Sequence, residues 1–153
     1  MTVNDDHHKI VITKIYPTDR KTLFSAFTES QKMKEWFFIE KSWDVEVRNT
    51  LRVGDKYSIK MQTQDGLVSN NYGVYKEIDP PKRLVFTWAI NKNIDSLVIV
   101  NFESQEDGAK ITLTHDMLPN ESYYYLHLWS WQNLFANLRQ FVCAQNHEHA
   151  EMA

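Results

Sequence analysis

His115 is the residue of this chain best suited to acid–base chemistry. It follows Ile111 and Leu113 at two-residue spacing, and on a strand that alternation turns all three side chains to one face. A histidine on an apolar inner face can hold a polar group of a ligand or move a proton near neutral pH. The plainer reading is a strand-end histidine satisfied by hydrogen bonds, and it is preferred because no serine, cysteine or paired carboxylate is visible as a partner by spacing. Trp36, Tyr57, Tyr72, Phe86, Trp88, Trp131 and Phe135 form the second candidate set. With His115 they can line an apolar cavity for a hydrophobic ligand, since ligand cavities are mostly apolar with a few placed polar groups. The same residues can equally fill a core, and the sequence leaves both readings open.

Other candidate chemistry is thin. The pairs His7-His8 and His147-x-His149 lie in polar terminal segments. Two residues apart, the second pair does not share a helix face, so no metal site is expected. Cys143 is the only cysteine, which rules out an intrachain disulfide and a cysteine-based zinc site. Beside Phe141 and Val142 it reads as a small core residue. The chain has no phosphate-binding loop, nucleophile elbow or HExxH segment. No cofactor is expected, and no catalytic constellation emerges.

The composition says what kind of molecule must carry these residues. At 153 residues and 18.1 kDa the chain is of single-domain size and long enough to bury a core unaided. It has 13% aromatic residues, four glycines, four prolines and a net charge of −3, which argues against disorder and low-complexity architecture. An isoelectric point near 6.1 carries no basic footprint for nucleic acid. Met1 to Lys9 lacks the apolar stretch of a signal peptide. Leu97 to Val100, the strongest apolar run, is far short of the about 20 residues a membrane helix needs. A cytoplasmic, reduced protein is the expectation, and Asn120-Glu121-Ser122 is read as a chance glycosylation sequon.

The elements follow from periodicity. Ile10 to Tyr16 is β-branched and stops at Pro17, which reads as a strand. Thr18 or Asp19 can cap a helix carrying Leu23, Phe24, Ala26 and Phe27, and Ser30 a second short one through Met33 to Trp36. From about Trp43 to His115 the period is two: Tyr57, Ile59 and Met61; then Leu67 to Ile78; then Leu84, Phe86 and Trp88; then Val98, Val100 and Phe102; then Ile111 to His115. Asp65-Gly66, Asp79-Pro80-Pro81 and Asp107-Gly108 punctuate the series, and turns this short favour antiparallel hairpins. After Pro119, Leu128, Trp131, Leu134, Phe135, Leu138, Phe141 and Val142 recur at three- and four-residue steps, predicting an amphipathic helix of about 20 residues. The reading is a single α+β domain over 9–145 between polar tails at 1–8 and 146–153: a curved antiparallel sheet whose apolar face is covered by the long helix.

In that order the chain resembles the START-like, or SRPBCC, superfamily. Within it, the likeness is to the branch named after the C-terminal domain of the activator of the Hsp90 ATPase (the AHSA branch). Four segments carry the resemblance: Leu23 to Thr28 with Lys34-Glu35-Trp36; Val53-Gly54-Asp55-Lys56-Tyr57; Gly73 to Trp88 around Asp79-Pro80-Pro81; and Ile111 to His115 leading into Trp131, Leu134 and Leu138. Asp55 stands where relatives usually have a second glycine. Ser130 stands where they often have a glycine before the tryptophan, which bears on the local shape of any pocket. The resemblance implies the helix-grip fold and a stand-alone member without the extra domain of the eukaryotic activators. It also implies a cavity under the long helix that binds a small apolar molecule of lipid or aromatic type. Chaperone-associated activation and a stress-response role are the alternative it carries, and cyclase or hydrolase chemistry through His115 with Tyr72 or Tyr57 is a third. Tyr123 to Tyr125 and Trp129 form an aromatic cluster that can be partly exposed and support a homodimer.

Overall fold

The computed structural model describes residues 7–91 and 94–152. The chain runs β1 (Ile10–Tyr16), α1 (Arg20–Thr28), α2 (Ser30–Met33), β2 (Asp44–Asn49), β3 (Lys56–Gln62), β4 (Val68–Asp79), β5 (Arg83–Asn91), β6 (Ile94–Gln105), β7 (Gly108–Asp116) and α3 (Glu121–Met152). Seven strands form one sheet in the order β1-β7-β6-β5-β4-β3-β2. Strands β2 to β7 are a meander joined by hairpins, and β1 closes against β7 with Ile10 opposite His115. All strand pairs are antiparallel. This is the α+β helix-grip architecture.

Local chemistry explains the boundaries. Pro17 stops β1, and Asp19 caps α1 by accepting the Thr22 backbone N–H at 2.8 Å. Glu29 ends α1 and begins α2 without a side-chain cap, so Ser30 is the first residue of α2 rather than its cap. That helix closes at Met33, and Trp36 follows it in a turn with its N–H on the Met33 carbonyl at 3.2 Å. In the loop between β3 and β4 Gly66 takes φ +92°, a conformation glycine adopts without a steric penalty. The Asp79 to Lys82 turn has Lys82 N–H on the Asp79 carbonyl at 2.7 Å and a cis Pro80–Pro81 bond.

Alternation along the strands builds the concave face. Tyr57, Ile59, Leu84, Phe86, Val98, Val100, Ile111 and Leu113 are all buried there. Against them lies one stripe of α3, namely Trp131, Leu134, Phe135, Leu138 and Val142. Each such side chain stabilises the fold by about 1.5–3 kcal/mol through the apolar surface it removes from water. Two polar clamps fix the helix to β1. Tyr16 Oη donates to the Phe135 carbonyl at 3.0 Å, and Arg139 donates to the Ile15 carbonyl at 2.6 Å with its guanidinium 4.8 Å from the centre of the Tyr16 ring.

Three expectations are corrected. Helix α3 has 32 residues, roughly 48 Å, because backbone hydrogen bonding continues past Val142 where the apolar stripe stops. Residues 146–152 therefore continue the helix instead of forming a frayed tail. Cys143 is exposed: it follows Val142 by one step, which rotates it about 100° off the buried stripe. Among the described residues, no helix is long and apolar enough to cross a membrane.

Candidate ligand groove

The structure separates the eight predicted residues into three groups. Trp36, Tyr57, Phe86 and Phe135 are packed into the core. Trp36 is fully buried, with its indole N–H on the Ala26 carbonyl at 2.9 Å and its ring 4.9 Å from Phe27. Tyr57 donates its hydroxyl to the Thr87 carbonyl at 2.6 Å and packs edge-on to Phe86; burial pushes its phenol pKa well up. The void left among Tyr57, Tyr75, Phe86, Trp88 and Trp131 is about 20 Å³, space on the scale of one water. The centre of the domain is filled.

Tyr72 stands apart from the other candidates. It pairs with Ser58 across β3 and is 39% exposed, on the face opposite Tyr57 and Ile59. The residues of β4 that share the concave face are Ser69, Asn71, Gly73 and Tyr75, set by the pairs Met61↔Ser69 and Ile59↔Asn71. An aromatic side chain drew attention to Tyr72, but strand parity assigns the inner face to its neighbours.

Trp88, Trp131 and His115 meet at the end of the sheet that α3 enters. His115 is fully buried, and its hydrogen bonds define its tautomer. Trp131 Nε1–H donates to His115 Nδ1 at 2.9 Å, so the ring proton sits on Nε2 and points to Ser96 Oγ at 2.7 Å. Ser96 in turn donates to the Trp88 carbonyl at 2.8 Å. Desolvation, with the second imidazole of His127 beside it, pushes the His115 pKa down to about 3. His127 stacks edge-on at 5.0 Å and is also lowered by burial. It uses Nδ1–H on the Tyr123 carbonyl at 2.7 Å and accepts Trp88 Nε1–H on Nε2 at 3.2 Å. Ser96 is the partner that sequence reasoning missed, although stepping back two residues from Val98 along the same face reaches it.

Next to this cluster the interior opens. A groove of about 260 Å³ lies between the start of α3, the loop after α2 and the β3–β4 hairpin. Trp88 and Trp131, alone among the predicted residues, reach it. Phe37, Ile39, Trp43 and Met61 form one wall, and Trp129 and Leu134 the other. Asn71 and Ser69 edge it from β4, and His127 and Ser130 from α3. The helical members were accessible from the Trp131 position, since His127 lies four residues before it on the same face. The loop residues were not, because no period governs a loop. Elsewhere, His7 packs against Tyr124 and Tyr125, and His8 Nδ1 contacts the Leu118 carbonyl. The side chains of His147 and His149 lie outside the described residues. Among the described residues no three His, Cys, Asp or Glu side chains gather as metal ligands.

The chain is similar in fold to several solved bacterial structures. The AHSA1-like protein of Aeromonas hydrophila is 22% identical, with a TM-score of 0.78 over 90% of this chain and 94% of that one. The AHSA1 protein of Silicibacter pomeroyi is 17% identical at a TM-score of 0.79, covering 90% and 99%. A protein of Nitrosomonas europaea is 20% identical at 0.78, covering 94% and 99%. At such identities the likeness speaks for the fold alone. No curated protein matches the sequence. The family profile described as activator of Hsp90 ATPase homolog 1-like protein matches residues 17–142, from the end of β1 through the buried stripe of α3, and the chain belongs to that family.

Proposed function

We propose that this domain binds a small apolar molecule in the groove between α3 and the β3–β4 hairpin. The observation that carries this reading is the contrast within one interior. The centre is packed down to about 20 Å³, whereas the end between Trp43, Met61, Trp129 and Leu134 keeps about 260 Å³ of mainly apolar space. Exposed Trp129, at 53%, marks the open mouth. The Ser96–His115 pair does not favour the catalytic alternative. Its Nδ1 lone pair is taken by Trp131 and its proton points toward the serine, so the imidazole has no free lone pair with which to accept the hydroxyl proton.

The test is a thermal-shift screen of small aromatics, fatty acids and sterols, followed by titration of tryptophan fluorescence. A ligand at a hundredfold over its Kd stabilises by about 2.7 kcal/mol, which raises the Tm of a domain this size by about 5–10 °C. Ser130→Trp, which fills the groove from α3, is expected to abolish that shift while leaving the unliganded Tm within a few degrees. A full panel with no shift removes the reading. The family description supports a second one, association with an Hsp90-type chaperone, for which the exposed stripe Tyr125, Leu126 and Trp129 is the available surface. Calorimetric titration against the chaperone, with Trp129→Ala as the comparison, decides it.

A further inference from the structure

Four of the chain's five tryptophans, Trp43, Trp88, Trp129 and Trp131, line the groove, while none of its lining residues is Asp, Glu, Lys or Arg. We infer that the groove is built for an uncharged one- or two-ring aromatic molecule whose single hydrogen-bonding substituent is read by Asn71. This rests on the apolar-ligand reading above and narrows it by volume, charge and the distribution of unused polar groups.

Volume comes first. A cavity of about 150 Å³ holds benzene, so about 260 Å³ suits one or two rings and is too small to enclose a sterol or a long acyl chain. Charge comes second. A carboxylate or phosphate moved into this apolar site would lose its water without a cationic partner, which costs far more than an uncharged polar group. His127 does not supply the missing cation, because both of its ring nitrogens are engaged, with Tyr123 and Trp88. Indole faces, by contrast, favour flat rings in stacked or edge-on contact.

Polar capacity comes third. Ser130 spends its hydroxyl proton on the Leu126 carbonyl at 2.8 Å. Ser130 therefore has no hydroxyl proton left to donate to a ligand. On the β4 side Asn71 shares the concave face with Ile59, and its amide makes no side-chain hydrogen bond among the described residues. Ser69 lies two residues along on the same face, at the rim. A primary amide both donates and accepts, so it can read a hydroxyl or a carbonyl equally well. The ligand's rings then lie toward Trp88, Trp131 and Leu134, with the substituent toward β4.

Three probes separate the possibilities at pH 7: naphthalene, 1-naphthol, which is neutral, and 1-naphthoate, which is charged. Each is titrated calorimetrically into the full chain. The expected order is 1-naphthol tightest, naphthalene weaker by up to about tenfold, the worth of one net hydrogen bond, and 1-naphthoate without saturable binding. Asn71→Leu is expected to bring 1-naphthol down to naphthalene while naphthalene binding persists, and that persistence shows the groove is still folded. Naphthoate binding as tightly as naphthol, or a naphthol preference that survives Asn71→Leu, overturns the assignment. Palmitate or cholesterol binding where the naphthalenes do not overturns the ligand class but leaves the apolar groove standing. Failure of every probe, fatty acid and sterol included, removes both.

Discussion

Ser96 and His115 stand at the distance of a serine–base pair, and the direction of the hydrogens decides what they are. Trp131 occupies Nδ1, Ser96 takes the Nε2 proton, and the serine hydroxyl goes to the Trp88 carbonyl. Every donor and acceptor is used once, and the chain ties β5, β6 and β7 to α3. His115→Leu leaves the Trp131 N–H without its acceptor and Ser96 without a donor. At about 1–3 kcal/mol for each of the two orphaned buried groups, equilibrium urea unfolding should show a loss of roughly 2–6 kcal/mol. An unchanged midpoint would mean that the network is not formed in solution. The histidine itself was evident from its place in the Ile111, Leu113, His115 alternation. Its partners were not, because they come from three other elements and no local spacing links them.

At the scale of elements, β4 is where sequence and structure diverge most. Its pairing with β5 shifts between Tyr75 and Glu77, and just before that shift Gly73 lies against Thr87. A Cβ on Gly73 would lie 1.9 Å from the Thr87 backbone oxygen, an overlap relieved only by moving the strand. That oxygen also accepts the Tyr57 hydroxyl, and the Thr87 hydroxyl accepts the Val74 N–H at 2.8 Å. Gly73→Ala is therefore expected to destabilise by about 3 kcal/mol or more, read as a drop in the thermal midpoint; a neutral result would show that the strands are further apart than this. On α3, Leu138→Ala removes a fully buried side chain of the stripe and should cost about 2–5 kcal/mol. The cost is measurable by the same unfolding experiment. Helix α3 was legible from its stripe, but its length was not. Beyond Val142 the helix is held by backbone bonds that leave no apolar period.

For the whole molecule, the buried imidazole of His115 and the half-buried one of His127 make stability depend on pH. In the unfolded chain a histidine takes a proton near its ordinary value of 6.5, while folding holds His115 neutral down to about 3, and His127 is shifted the same way. Below pH 6.5 the unfolded state thus binds more protons than the folded one. Their contribution is fully present above 6.5 and is lost as pH falls through this window, by up to about 1.4 kcal/mol per pH unit for each group. Urea midpoints measured from pH 8 to pH 4 should fall accordingly, and His115→Gln should flatten the slope. A variant with the parent's slope would remove His115 from the account.

Composition and periodicity by themselves determined the class of molecule: one aromatic-rich domain, a strand with two short helices, an antiparallel meander and a covering helix. Those features are local, because side-chain alternation and helical spacing are properties of consecutive residues. Only the tertiary structure decided which aromatics are sealed and which border open space. Tyr57, Phe86 and Phe135 are aromatic residues at the same strand or helix spacing as Trp88 and Trp131, and Trp36 is an aromatic residue of a turn. What distinguishes them is how far the loop from Phe37 to Trp43 and the β3–β4 hairpin stand from the start of α3. That gap depends on register, parity and helix placement together, and it is there, beside Asn71, that about 260 Å³ of the interior stays open.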